Sequence, residues 1–130
     1  MKEQMISRIA VVILAIVMIT FGVYHFVNPQ LMIVFVPNFL PGGIVWVYVV
    51  GVAFIIAGLA FLMHKWVKLA GYLLALLLFI FILTIHLPNY LHSGEKDMQQ
   101  VSLINLLKDA AIAAFAMYVA SNAQKNERQS

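Results

Sequence analysis

Apolar residues run along this chain in four long blocks, separated by short stretches where polar residues, Pro and Gly collect. Read over a window of roughly 19 residues, the blocks fall at about 9–27, 44–63, 69–87 and 101–120. Each is about 20 residues long, which at 1.5 Å per residue just crosses a hydrocarbon core of about 30 Å. Backbone groups in lipid must find partners within their own segment, so the pattern predicts helices rather than strands. The abundance of Val and Ile does not argue against this, because β propensity yields to context. No stretch remains for a second domain. Residues 1–130 read as an all-α integral membrane four-helix bundle.

Composition narrows the classes further. The chain is 64% hydrophobic and 10% charged, with a mean hydropathy of +0.97, whereas soluble domains carry about a quarter charged residues. A water-soluble domain and a disordered chain are excluded. The net charge of +3 is too small and too scattered to mark a nucleic-acid surface. There are no cysteines, which removes disulfides, thiolate nucleophiles, Cys-ligated zinc and iron–sulfur clusters. Lys2 and Arg8 ahead of an apolar run fit the start of a signal peptide, but the run is longer than such a segment needs and no small-residue cleavage site follows. The first span is expected to be retained.

Charge also predicts orientation. Lys2, Arg8, Lys65, Lys68, Lys125 and Arg128 flank one side of the spans, against Lys96 alone on the other. Both termini are therefore expected to be cytoplasmic in a multi-pass protein of the cell membrane (the inner membrane if the source is bacterial). The turn His64–Lys68 then faces the cytoplasm, with Trp66 and its two lysines as interfacial anchors. The first outer connection, Asn28 to Gly43, carries no charge. Asn28 and Pro29 suit the start of a short helix, which Pro37 and Pro41-Gly42-Gly43 would stop. This segment is expected to lie in the interface or to fold back over the bundle as a lid.

Helices in lipid associate through small residues. Gly51, Gly58, Ala53 and Ala57 in the second span, Gly71 and Ala75 in the third, and six alanines between Ala110 and Ala120 in the fourth are expected to be packing surfaces. Polar residues inside the spans are more telling, because a charge near the bilayer centre costs at least about 2.5 kcal/mol. Ser102, Asn105 and Asp109 share one face of the fourth span, which Ala113, Ala116 and Ala120 continue. Lys108 lies about 100° round the helix from Asp109, which itself sits about 12 Å below the outer boundary. The outer ends of the first and third spans bring Thr20, Tyr24, His25, Thr84 and His86 to a similar depth. The inner half is almost purely apolar. The predicted site is therefore an outward-opening pocket near Tyr24, His25, His86, Asn105, Lys108 and Asp109. Asp109 is equally readable as a satisfied polar knot with Lys108 or a histidine. Haem or a metal held by His25 and His86 is disfavoured, since both rings would have to face inward at one level. Asp109 is the only carboxylate in any span, so no pair is placed for acid–base hydrolysis.

The order of these features resembles the DoxX-like family of small membrane proteins. Gly22-Val23-Tyr24-His25-Phe26-Val27-Asn28-Pro29 resembles its G-x-x-H-F-x-x-P signature, and Pro37-Asn38-Phe39-Leu40-Pro41 its P-x-x-L-P. Gly51 to Gly58 looks like its glycine-bearing second span, and Asn105 to Ala111 like the start of its last. The likeness runs from Arg8 to Ala120. It implies kinship with subunits of quinone-linked sulfur oxidoreductases and, more distantly, with EXPERA-type sterol- and lipid-binding proteins. By motif match it carries over His25, Pro29, Asn105 and Asp109. Relatives often have a Glu shortly after the second-span glycine, where this chain reads Gly51-Val52-Ala53-Phe54-Ile55, so a two-carboxylate pocket is not carried over.

Three functions fit. The first is a membrane subunit that contacts quinone near the outer leaflet, alongside a partner redox subunit. The second is a non-catalytic module binding a lipid or other apolar molecule, and the third a scaffold in a larger membrane complex. The sequence leaves open which, and whether any residue is catalytic.

Overall fold

Four long helices, each antiparallel to the one it packs along, build the protein in a computed structural model that describes residues 2–33, 36 and 41–129. Helix α1 (Lys2–Val27) leads into a short α2 (Pro29–Met32), followed by α3 (Ile44–Met63). Helix α4 (Val67–Phe81) passes through a π-helical turn (Ile82–His86) into α5 (Leu87–His92), and α6 (Lys96–Gln129) closes the chain. No strand occurs among the described residues. Four stretches are long and apolar enough to cross a membrane: Lys2–Val27, Ile44–Met63, Val67–His92 and Lys96–Ala123. Their outward surface is apolar as well. Ile13, Ile56, Leu76 and Ile104 are each more than half exposed, a surface that only a non-aqueous surrounding suits.

The second span has the bounds its hydropathy predicts; the first and fourth helices begin earlier, at Lys2 and Lys96, and the third runs on past its expected end. The apolar block of the third ends at 87, just before Pro88, yet helix continues to His92 and the connection shrinks to Ser93–Glu95. A proline ring normally strikes the carbonyl four residues back and lacks the N–H to bond it. Here the preceding turn is widened, with the Leu87 N–H reaching back five residues to Ile82 O. That π turn makes room for the ring and lets the helix run on. At the first outer connection α2 begins at Pro29 as expected, but Asn28 makes no side-chain cap. Its backbone instead prolongs the ladder of α1, donating to Tyr24 O at 2.9 Å. The expected stop at Pro37, and with it the lid reading of 34–35 and 37–40, lies outside the described residues.

Two seams of small residues bring backbones into direct contact. In the α1–α3 pair, a Cβ on Gly22 would lie 2.6 Å from Gly51 O, and one on Gly58 2.8 Å from Ala15 O. In the α4–α6 pair, a Cβ on Gly71 would lie 2.7 Å from Ala120 Cβ and 2.8 Å from Ala116 O. The alanine face of α6 is sealed here: Ala113 and Ala116 are fully buried. At the far end of the first seam, Arg8 donates to Leu62 O at 2.7 Å and Phe61 O at 3.2 Å. A cation thus caps the orphan carbonyls of α3. The chain then reverses through His64 and Trp66, both at φ 59°.

These contacts make a prediction about stability. Gly71→Ala forces the α4–α6 seam apart and is expected to cost about 1–3 kcal/mol. Gly94→Ala, where a Cβ meets nothing within 4 Å, should fall within about 0.5 kcal/mol of the parent. Thermal unfolding of the two variants in one detergent checks this, and equal midpoints would contradict the seam.

Candidate functional site

The two hairpins are tight within themselves and meet mainly through α3 and α4. Between them, at the end where α1 and α4 finish and α3 and α6 begin, lies a cavity of about 680 Å³. Its walls are largely apolar, including Phe21, Val50, Phe54, Leu77, Phe81 and Ile112. Phe54 and Phe81 meet edge to face across the hairpin boundary, with ring centroids 6.3 Å apart. Trp46 ties the start of α3 to the preceding turn by donating to Pro41 O at 2.7 Å. Val36, from the uncharged connection, also lines the cavity.

The polar groups come from three helices. The buried stripe of α4 runs Val67, Gly71, Leu74, Ala75 and Leu78. On a straight helix Ile85 would fall about 20° from Leu78 and His86 about 80° away. The π turn adds one residue to its turn and brings His86 round onto that stripe, where it is 8% exposed. Its Nε2 lies 2.9 Å from Asp109 Oδ2. Asp109 is itself only 5% exposed, on the same face of α6 as fully buried Ser102 and Ala113. A close hydrogen-bond partner is what a carboxylate at this burial requires. Lys108 approaches from the side, with Nζ 3.8 Å from Asp109 Oδ1 and 4.9 Å from the centre of the Phe21 ring. The second contact is a cation–π arrangement.

His25 is placed by the first seam. The bare Cα of Gly51 faces its Cβ, and its ring stands edge-on to Phe54 at 5.4 Å. Its Nδ1 donates to Phe21 O at 2.6 Å. In the neutral ring this leaves Nε2 as the acceptor nitrogen.

His25, His86, Asn105, Lys108 and Asp109 therefore all line one cavity. Tyr24 does not. It is 41% exposed, about 200° round α1 from buried Gly22. Thr20 shares that outer face and spends its hydroxyl on Ile16 O at 2.7 Å. Thr84 does line the cavity, but its hydroxyl donates to Ile80 O at 2.7 Å. The aromatic walls Phe21 and Phe54 are not among the residues that the sequence singles out as a site; as span phenylalanines they read as core or lipid-facing packing. Helical spacing held the signal: Phe21 lies one turn before His25, and Phe54 one turn after Gly51. Among the described residues, no group of three or more His, Cys, Asp or Glu is placed to hold a metal ion.

Residues 14–120 match the model of a domain of unknown function, DUF8561. The chain belongs to the DUF8561 family. The matched region takes in both seams and every residue that lines the cavity. No curated protein and no solved structure matches the chain.

For this DUF8561 protein, the His86–Asp109 contact makes its own prediction. A double-mutant cycle with His86→Phe and Asp109→Leu should give a coupling energy of about 1 kcal/mol, in the upper part of the range for hydrogen bonds between membrane helices. Purely additive losses would mean that the two side chains do not interact.

Proposed function

We propose that this DUF8561 protein is a four-span membrane protein that binds one lipophilic molecule between its hairpins and holds the polar head by hydrogen bonds. The observation that carries this reading is the cavity itself. Its volume of about 680 Å³ is that of a small-molecule site. Its surface is largely apolar, and apart from Thr84 and Trp46, which donate to Ile80 O and Pro41 O, its hydrogen-bonding side chains gather where Asn105, Lys108 and Asp109 of α6 face His86 and His25. Such a division suits a ligand with one polar end and a long apolar remainder. A quinone belongs to this class, and the DoxX-like resemblance favours it. In that case Lys108 and Asn105 supply donors to a ring carbonyl, and the His86–Asp109 pair offers a route for a proton. Binding alone needs neither a redox step nor a second subunit.

The test is native mass spectrometry of protein extracted in mild detergent, followed by thermal unfolding with the identified adduct added back. At about 100 times its Kd, a ligand should raise stability by about 2.7 kcal/mol. Val50→Trp, which fills the cavity, should remove both the adduct and the shift. A bare protein mass, with no shift from any lipid or quinone fraction, would sink the reading.

The charge asymmetry of the flanks supports an outer position for the cavity end. The absence of native cysteine makes this easy to check. Single cysteines at Gly94 and at Lys2 should react with an impermeant maleimide from the outside and from the inside, respectively. The reverse pattern would put the cavity on the cytoplasmic side.

A further inference from the structure

Donors facing the cavity exceed the acceptors the protein gives them. Lys108 carries three N–H donors, and 44% of its side chain is open. Its contacts among the described residues are the face of Phe21 and Asp109 Oδ1 at 3.8 Å. The latter is beyond hydrogen-bond range. The other oxygen of Asp109 is bound by His86 at 2.9 Å. One carboxylate thus serves a close imidazole and a distant ammonium. Asn105 lines the same cavity, and its amide makes no hydrogen bond to any described residue. Its position three residues before Lys108 sets the two side chains next to each other on α6.

We propose that the head group of the ligand is an anion, specifically the carboxylate of a long-chain acid. One of its oxygens is held by the Lys108 ammonium and the other by the Asn105 amide. The chain lies against Val50, Phe54, Leu77, Phe81 and Ile112. This rests on the reading of the cavity as a lipophile site and adds the charge of what it selects. The physical reason is the unbalanced ammonium. In surroundings of low polarity, a cation whose one counter-ion stands 3.8 Å away and is shared with an imidazole is incompletely compensated. A neutral carbonyl accepts a hydrogen bond from it but leaves its charge in place. A carboxylate supplies both acceptor and charge, and charge-assisted hydrogen bonds are roughly twice as strong as neutral ones. An amine head would meet the ammonium as a like charge and be rejected.

The experiment compares a fluorescent polyene fatty acid, cis-parinaric acid, with its methyl ester. Both are titrated into the full-length protein in an uncharged detergent at pH 8, against detergent alone. The acid should bind at least about tenfold more tightly than the ester, as expected for a hydrogen bond to a charged group. Lys108→Met should remove most of that preference without changing ester binding, Lys108→Arg should keep it, and Asn105→Leu should reduce it. Equal affinity of acid and ester for the parent protein overturns the proposal, as does a preference that survives Lys108→Met. If both probes bind equally and Val50→Trp expels both, the cavity reading stands and the anion alone fails. If neither probe binds above the detergent background, both fail together.

Discussion

Lipid gives apolar helices no solvophobic reason to associate, so a bundle of this composition depends on how closely its backbones can approach. In this protein the approach is set at a handful of positions. Gly22 meets the Gly51 carbonyl, Gly58 meets that of Ala15, and Gly71 meets the Ala116 carbonyl and the Cβ of Ala120. At such distances there is no room for even one methyl group, and dispersion contacts along the seam are correspondingly dense. Each seam makes a hairpin. The Arg8 contacts with the carbonyls of Phe61 and Leu62 fix the register of the first by pinning one of its ends.

The cavity follows from the same constraint. The span glycines all lie within the hairpins, and at the cavity end larger side chains face one another between them. Phe21, Phe54 and Phe81 hold the hairpins apart where the polar groups lie, while smaller and better-fitted residues such as Ala57, Ala75 and Leu78 close the middle of the bundle. The carboxylate of Asp109 is tolerable there because an imidazole binds one of its oxygens and an ammonium stands 3.8 Å from the other. Stability and site are thus parts of one packing arrangement.

Much of this was legible in the chain. Hydropathy alone delimits the second span at Ile44–Met63, and the i, i+3, i+7 pattern of Ser102, Asn105 and Asp109 marks the face of α6 that is buried. Five of the six residues singled out from the sequence line the cavity. The sixth, Tyr24, shows the limit of that reasoning: depth in a span is readable from sequence position, whereas the direction a side chain faces depends on which stripe wins the packing. Glycine decided it on α1, and Gly22 faces α3. The continuation of helix past Pro88 was illegible for a different reason. Proline usually stops a helix, and a widened turn that accommodates it depends on backbone hydrogen bonds no residue type announces. The role of Arg8 was hidden likewise, since a flanking cation reads as an anchor until the carbonyls it reaches are known.

The π turn at Ile82–His86 also bears on how such a protein can change over generations. It stores one surplus residue inside a membrane helix. Loss of any one residue from this stretch would let the turn relax to ordinary α-helix without shortening the span appreciably or disturbing the Gly71 seam below it. With any one of residues 82–85 lost, His86 would stand seven positions after Leu78, about 20° from it, and would keep its place opposite Asp109, but the ring of Pro88 would press on the turn before it. A single codon deletion here is therefore felt in the helix at Pro88, and in the chemistry at its end only where it removes His86 itself.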